Sequence, residues 1–202
     1  IIGAGSNILV SDAGIEGIVI LNKADDYELI EYQHGFVLMA SSGVMLPKLA
    51  GELAKHGAAG LEWGVGIPGT IGGAVVQNAG AWGYEIKDRL LSLEYIMSDQ
   101  DKVKTIPANQ LGLRYRGSNI LDVSPEKRPI ILNAWFRLDR DEPQAIMKRN
   151  AEYIAQRQAT QPRLASGGST FRNPTGDYAG RLLQATELKG YRVGRAAFSK
   201  KH

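Results

Sequence analysis

Residues 57–83 read GAAGLEWGVGIPGTIGGAVVQNAGAWG, and this stretch decides how the rest of the chain is interpreted. It contains nine of the 24 glycines of the chain and one charged residue, Glu62. A flexible linker would be polar, whereas this stretch is apolar. We therefore expect its backbone to pack closely against something. Pro68-Gly69 predicts a turn, and Thr70 predicts the N-cap of a short helix that runs through Val76.

Two interpretations of the stretch remain open. Amide groups at a helix start, with glycines that let a ligand approach, suit a pyrophosphate. No lysine follows in the Gly-Lys-Ser/Thr arrangement, so an ATP-type phosphate loop is excluded. The alternative is a tightly packed structural crossover that binds no ligand. The small residues of the predicted helix would let it lie against a flat ligand.

Three further motifs carry possible chemistry. GAGSN at residues 3–7 suits either phosphate binding or a tight turn, but Ile8 replaces the third glycine of a dinucleotide fingerprint. LRYRGS at residues 113–118 offers a tyrosine and an arginine that could clamp a carboxylate, or a plain surface arginine. GGSTFRNP at residues 167–174 presents a serine hydroxyl on a glycine turn, with no histidine or aspartate beside it in sequence.

Composition excludes several classes of protein. The 202 residues are 44% hydrophobic and 22% charged, without the run of about 18 to 20 apolar residues that a membrane span needs. There is no cysteine, so disulfides and thiolate sites are impossible. The histidines are His34, His56 and His202, too scattered to predict a metal site.

The charge is distributed unevenly along the chain. Residues 161–202 contain eight Lys/Arg and two Asp/Glu, a net charge of +6, whereas the chain as a whole carries +3. The basic segment suits an anionic partner or a solvated basic face. It matches no standard motif for binding nucleic acid. The composition also shifts near residues 160–162, which predicts a domain boundary there.

Hydrophobic patterning predicts an α+β fold in which strands outnumber helices and pair mainly as hairpins. Strands are predicted at 17–21, 27–32, 36–41, 90–97, 102–106 and 129–138. Helices are predicted at 46–56, with Leu46, Leu49, Ala50, Leu53 and Ala54 inward, at 142–157, with Ile146, Ala151 and Ile154 inward, and at 178–186. The chain starts without methionine and stops abruptly, so we expect a fragment of a longer protein.

Five stretches in this order resemble the UDP-N-acetylenolpyruvoylglucosamine reductase family of bacterial cell-wall synthesis. They are GAGSNILVSDAGIEGIVI, GLEWGVGIPGTIGGAVVQNAGAWG, LRYRGS, GGSTFRNPTGDYAGRLL and LKGYRVGRAAFSKKH. The resemblance implies an FAD-binding PCMH/vanillyl-alcohol-oxidase-like fold followed by the start of a substrate-binding domain. It implies the end of a first FAD subdomain at 1–22, a second FAD subdomain at 23–160 and the substrate domain from 161 to 202.

The resemblance also implies the chemistry. Noncovalent FAD would take a hydride from NADPH and reduce UDP-N-acetylglucosamine enolpyruvate to UDP-N-acetylmuramate in the cytoplasm, without nucleic acid or membrane. Arg116 matches the arginine that stabilises the enolate-like intermediate, and Ser169 matches the proton donor. Substrate contacts match Trp82, Tyr115, Arg172 and Asn173. FAD contacts match Gly3, Gly5, Ser6, Asn7, Ile67, Pro68, Gly69, Thr70, Gly72, Gly73 and Ala79.

The chain departs from the family pattern at several points. Trp82 stands where tyrosine is common, Arg172 where lysine is frequent and Arg195 where glycine is usual. The family also uses a C-terminal glutamate whose motif does not occur by His202. Two alternatives therefore stay open: another FAD-dependent oxidoreductase of the same superfamily, such as an oxidase acting on an alcohol or a sugar, and an inactive nucleotide-binding remnant.

Overall fold

A computed structural model describes residues 1–162 and 166–201. His202, one of the three histidines considered above, lies outside the described residues. The chain divides into two compact units, Ile1–Tyr153 and Ile154–His202.

An antiparallel sheet of six strands forms the centre of the first unit. The strands of the sheet are β1 Tyr27–Tyr32, β2 Gly35–Ser41, β3 Ala58–Ala59, β6 Leu90–Ile96, β7 Lys104–Pro107 and β8 Ile130–Arg140. Five of them follow the spatial order β1-β2-β8-β6-β7, and β3 pairs with the end of β8. The hairpin of β4 Gly80–Ala81 with β5 Tyr84–Glu85 lies apart from the sheet. The α+β prediction is confirmed, because the strands pair as antiparallel neighbours.

Helices and short 3₁₀ turns connect these strands. The helices of the first unit are α1 Leu46–Lys55, α2 Ile71–Val76, α3 Asn119–Asp122 and α4 Pro143–Thr160, of which α4 continues into the second unit. The 3₁₀ helices of the first unit are Glu62–Gly66, Ile86–Asp88, Ala108–Gln110 and Pro125–Lys127. The second unit contains α5 Ala179–Ala185 and the hairpin β9 Arg192–Val193 with β10 Ala196–Ala197.

The first hairpin and α1 follow the sequence prediction closely. Tyr32 pairs with Gly35, whose φ of +151° lets the chain reverse after β1. The predicted inward residues of α1 are all buried, and Gly57, with φ +69°, follows its last turn. The leucines of this inward face share one hydrophobic core with sheet residues such as Leu38 and Phe136, both fully buried. This burial supplies the main hydrophobic stabilisation of the unit.

The predicted buried strand at 17–21 is wrong. Ile18 is 92% exposed, and the residues around it form no strand. Within the described part of the chain, the pairing of this stretch is limited to one parallel bridge between Ile2 and Leu21. An apolar run becomes a buried strand only where neighbours take its hydrogen bonds and cover its side chains. Among the described residues only Ile2 pairs with this run, and the side chains of the run stay exposed.

The predicted inward face of α4 is also partly wrong. Ile146 is fully buried, but Ala151 and Ile154 are exposed. The helix instead turns Asn150 inward, where the side-chain amide donates to the Ala50 carbonyl at 3.3 Å. Tyr153, one turn further on, is half-buried. The inward face of α4 therefore follows the i, i+4, i+7 spacing of Ile146, Asn150 and Tyr153. The polar Asn150 can occupy the middle position because its side-chain amide has a backbone partner.

Glu62 attaches α4 to the glycine-rich stretch. Its side chain is 11% exposed and accepts hydrogen bonds from the Gly60 N–H at 2.6 Å and from Arg149 at 2.8 Å. The same guanidinium lies 2.6 Å from Asp141 and, with the Glu142 N–H, holds the pKa of the Asp141 carboxyl below its ordinary value. The single charge within residues 57–83 is therefore paired inside the fold.

We expect Arg149→Met to lower the free energy of unfolding by about 2 kcal/mol, because it leaves the nearly buried Glu62 carboxylate without its cationic partner. Lys55→Met is the matched control. It breaks the more exposed Lys55–Glu52 pair and should cost less than about 1 kcal/mol. Chemical denaturation of both variants measures the difference. Equal losses would show that the Glu62 contact does not stabilise the fold.

Candidate functional site

Residues 3–7 lie directly against the Pro68-Gly69-Thr70 turn. The Ser6 hydroxyl donates to the Pro68 carbonyl at 3.0 Å. A Cβ placed on Gly69 would approach Ser6 Oγ to 3.2 Å, and one placed on Gly3 would meet Thr70 Oγ1 at 2.3 Å. Two motifs more than 60 residues apart in sequence therefore form one surface, and glycine at position 3 is required by the contact itself.

Thr70 occupies the N-cap position of α2, as predicted, but its hydroxyl makes no capping hydrogen bond. The predicted side-chain cap is wrong because the hydroxyl turns toward Gly3 instead. The first N–H groups of the helix go to other partners. Ile71 donates to the Val44 carbonyl at 2.9 Å, and Gly72 donates to the Ser42 carbonyl at 2.8 Å.

The two adjacent glycines of α2 have opposite surroundings. A Cβ on Gly72 would meet Ser42 Cβ at 2.9 Å, so this glycine permits close packing of the helix on the protein. Gly73 is exposed, and a Cβ placed on it would have Thr70 Oγ1, at 3.8 Å, as its nearest contact outside the adjoining backbone. The outer side of α2 thus presents bare backbone. Of the predicted FAD contacts nearby, Ile67 and Ala79 pack against the hydrophobic core.

Several backbone donors at this surface have no partner among the described residues. They are the N–H groups of Gly5, Ser6, Asn7 and Gly73. Gly5 has a φ of +67°, a left-handed conformation that glycine adopts without strain. Unpaired amides with no side chain over them are the donors that a phosphate oxygen accepts from.

Trp82 lies in the tight hairpin between β4 and β5. Trp82 and Gly83 have φ values of +53° and +87°, the conformation of a primed two-residue turn between β4 and β5. The Trp82 ring lies 4.6 Å from the ring of Tyr153, tilted by 31°. Burial raises the pKa of the Tyr153 hydroxyl. One face of the tryptophan is therefore occupied within the protein.

Arg116 is held beside this hairpin. Its guanidinium donates to the Gly80 carbonyl at 2.7 Å and lies 5.1 Å from the centre of the Tyr115 ring. Arg114 and Gly117 exchange two backbone hydrogen bonds, which close the loop that presents Arg116. The predicted Tyr-Arg pair is thus preformed, with a fixed positive charge available for an anion.

The second unit carries the other predicted residues. Ser169 follows Gly168, whose φ is +73°, and both Ser169 and Arg172 are exposed. Asn173 has a local role, because its side-chain oxygen accepts the Ala179 N–H at 3.0 Å at the start of α5. Its amide nitrogen remains available to a ligand, since none of the described residues accepts from it.

Two polar residues of this region were not predicted from the sequence as part of the site. Asn78 and Ser118 are both fully buried and join the glycine-rich stretch to the Arg116 loop. Asn78 also has a positive φ of +42°. A polar residue inside an otherwise apolar run was the available signal, but the contacts that join the two segments, Asn78 to Arg114 and Ser118 to Val76, span 36 and 42 residues.

The described residues lack two other kinds of feature, a metal-binding cluster and a membrane-spanning helix. No group of three or more His, Asp or Glu side chains within them could hold a metal ion. None of their helices is both long enough and apolar enough to cross a membrane.

The comparison with known proteins decides the family. The family described as "FAD binding domain" matches residues 1–105, and the family described as "UDP-N-acetylenolpyruvoylglucosamine reductase, C-terminal domain" matches residues 160–202. A reductase of that name from Chloroflexus aggregans is 38% identical over 202 residues, which cover the whole chain and 68% of the relative. The chain belongs to the UDP-N-acetylenolpyruvoylglucosamine reductase family.

Other members of the reductase family are similar to this chain in sequence and in structure. The relative from Agathobacter rectalis is 39% identical over 213 residues, which cover the whole chain and 66% of the relative. The crystal structure of the reductase from Thermus caldophilus has a TM-score of 0.80 and 34% identity, covering 99% of this chain and 70% of that one. The predicted flavoprotein fold is confirmed. The chain thus spans about two thirds of the length of the curated relatives it matches.

Proposed function

We propose that this chain is part of a flavin-dependent reductase that converts UDP-N-acetylglucosamine enolpyruvate to UDP-N-acetylmuramate with NADPH, in the cytoplasm, for peptidoglycan synthesis. Membership of the reductase family supports the reaction. The observation that carries the proposal is the Ser6–Pro68 junction, which brings two glycine motifs together beside unpaired amides. A noncovalent FAD fits a chain without cysteine.

The residues present fit the pyrophosphate of a dinucleotide. The unpaired N–H groups of Gly5, Ser6 and Gly73 are the proposed phosphate donors, and the open side of α2 at Gly73 admits close approach. Gly72 contributes differently, because it lets α2 pack against Ser42 and so fixes the backbone that follows. The proposed contact set keeps the predicted residues Gly3, Asn7, Ile67, Pro68, Gly69, Thr70 and Ala79.

Bound flavin would supply hydride transfer from NADPH to the terminal carbon of the enolpyruvyl group. The protein must then manage the charge that develops on the substrate. Arg116 places a permanent cation where the carboxylate and its delocalised charge need it, held by Gly80 and Tyr115. Ser169 gives its hydroxyl proton to the carbon next to the carboxylate. Trp82, Tyr115, Arg172 and Asn173 are the proposed substrate contacts.

The proposed domain division follows the same scheme. Residues 1–22 close the first FAD subdomain, residues 23–160 form the second, and residues 161–202 begin the substrate domain. The match of the C-terminal family at 160–202 supports the second boundary. The excess of positive charge beyond residue 160 suits an anionic nucleotide sugar.

The experiment uses the full-length protein. After gentle purification it should be yellow, and it should oxidise NADPH rapidly only when the enolpyruvyl sugar is added, with UDP-N-acetylmuramate as the product. Colourless protein that binds no added FAD would refute the proposal. Rapid reoxidation of the reduced flavin by oxygen, with no response to the enolpyruvyl sugar, would instead assign the protein to the oxidases.

A further inference from the structure

Three segments of the first unit meet around one buried side chain. The segments are the end of α2, the β4–β5 hairpin with the 3₁₀ turn after it, and the loop that carries Arg116. Asn78 lies at their junction and is fully buried. We propose that Asn78 is a positioning residue, which fixes the guanidinium of Arg116 for the substrate step of the proposed reductase, so the inference rests on that proposed function.

Asn78 uses its side chain fully. Its amide nitrogen donates to Glu85 Oε2 and to the Arg114 carbonyl, both at 3.0 Å, and its oxygen accepts the Lys87 N–H at 3.0 Å. Two donors and one acceptor on a short side chain are what asparagine offers and what aspartate does not. The partners also fix the orientation of the amide, because a carboxylate and a carbonyl need the nitrogen.

Ser118 closes the other side of the same loop. Its hydroxyl donates to the Val76 carbonyl at 2.7 Å, and the residue is fully buried. The Arg116 loop is therefore fastened by a buried polar contact at each end, one at the Arg114 carbonyl and one at Ser118. Buried hydrogen bonds of this kind keep a single geometry, because breaking one leaves an unpaired polar group.

The hairpin that Asn78 holds is also the one that holds Arg116. Glu85 pairs with Gly80 across β4 and β5, and the Gly80 carbonyl accepts from Arg116 at 2.7 Å. Glu85 is fixed further by Lys87 Nζ at 2.7 Å, a contact that raises the pKa of Lys87. A continuous set of contacts thus runs from Asn78 through Glu85 and Gly80 to the guanidinium.

Left-handed backbone conformations are concentrated at the same junction. The described residues include four non-glycine residues with φ between +42° and +57°, and three of them, Asn78, Trp82 and Arg116, belong to this junction. Such conformations are costly for residues with a Cβ and persist where the surroundings impose them. Their concentration around the predicted catalytic arginine indicates that the junction is built to fix that side chain.

The test is a double-mutant cycle in the full-length flavin-loaded enzyme, with each half-reaction followed separately under anaerobic conditions. Asn78→Gly keeps the left-handed backbone accessible and removes all three hydrogen bonds. We expect it to slow oxidation of the reduced enzyme by the enolpyruvyl sugar by roughly 10- to 100-fold and to change flavin reduction by NADPH by less than about 3-fold. In an Arg116→Ala background the same change should add less than about 3-fold.

A crystal structure of Asn78→Gly gives a readout that does not depend on the reaction. We expect the 2.7 Å contact between Arg116 and the Gly80 carbonyl to be lost. An unchanged contact would overturn the inference. Equal loss in both half-reactions, or the same loss with and without Arg116, would also overturn it, because either result describes a structural role alone.

Two further controls keep the outcomes separate. Glu187→Gly relieves a comparable left-handed residue, φ +57°, in the second unit and should leave both half-reactions unchanged. If Asn78→Gly does not fold, Ser118→Ala takes its place in the same cycle, with an expected loss of roughly 3- to 10-fold. Unmodified enzyme that binds flavin but does not respond to the sugar would refute the proposed function, and the Arg116–Gly80 contact would still test the positioning.

Discussion

Ser169→Ala is expected to slow substrate reduction by roughly 10²- to 10⁴-fold, the range for removing a general acid. Reduction of the flavin by NADPH should stay near its normal rate, because that step needs no proton from this hydroxyl. Ser169 follows the Gly167-Gly168 turn, is exposed and donates to none of the described residues. Its hydroxyl is therefore available to a substrate.

Stopped-flow absorbance of the flavin separates the two steps, first with NADPH alone and then with reduced enzyme and the enolpyruvyl sugar. Ser98→Ala is the matched control, because it removes another exposed serine hydroxyl, one in the turn that follows β6 in the first unit. It should leave both rates unchanged. Equal slowing of both steps in Ser169→Ala would count against the role of proton donor.

Arg116→Ala should slow the same substrate step by roughly 10²- to 10³-fold, as expected when a fixed charge or donor is removed from a developing anion. Arg116→Lys should recover part of this loss. Lysine keeps the charge but lacks the planar guanidinium, which contacts the Gly80 carbonyl and has further N–H groups to offer the proposed substrate carboxylate. The rate of reoxidation at saturating sugar measures both effects.

The control for Arg116 is its neighbour Arg114. The Arg114 side chain is half-exposed and pairs with Asp122 at the surface, whereas its backbone carbonyl is the group that Asn78 binds. Arg114→Ala keeps the carbonyl and should change the substrate step by less than about 3-fold. A large effect at Arg114 together with none at Arg116 would contradict the assignment.

Strong local periodicity made parts of the fold predictable. The inward stripe of α1 and the hairpin of β1 and β2 have clear periods of 3.6 and 2, with a glycine at the turn or at the helix end. The predicted strand at 17–21 failed because an apolar run does not say whether anything covers it. The face of α4 was misjudged because Asn150 is buried through a hydrogen bond to Ala50, 100 residues away.

In the candidate site too, residues in local sequence motifs could be predicted, whereas contacts between distant segments could not. Sequence motifs could propose Arg116 and the Gly-rich turns as site residues, because each belongs to a short contiguous pattern. The network around Asn78 and Ser118 joins segments 36 and 42 residues apart, and no local pattern indicates such contacts. Nor could sequence distinguish Gly72, which packs on Ser42, from Gly73, which faces outward.

The unpaired backbone amides at residues 3–7 and on α2 are the groups proposed to bind the pyrophosphate of FAD. Gly73→Ala tests this proposal most directly, because the added methyl group meets no protein atom closer than 3.8 Å. Alanine also favours the helix over glycine by about 1 kcal/mol. The protein alone should therefore tolerate this change or gain stability from it.

The decisive measurement is the affinity of full-length flavin-free protein for FAD, followed by flavin fluorescence, with the Tm of each variant. Gly51→Ala, in α1 with no neighbour within 4 Å, is the control and should leave FAD affinity unchanged. Gly73→Ala should raise the Kd for FAD roughly 10- to 100-fold, the effect of overpacking a close contact, without lowering Tm. Unchanged FAD affinity in Gly73→Ala would show that the pyrophosphate of FAD does not approach the backbone of α2 at this position.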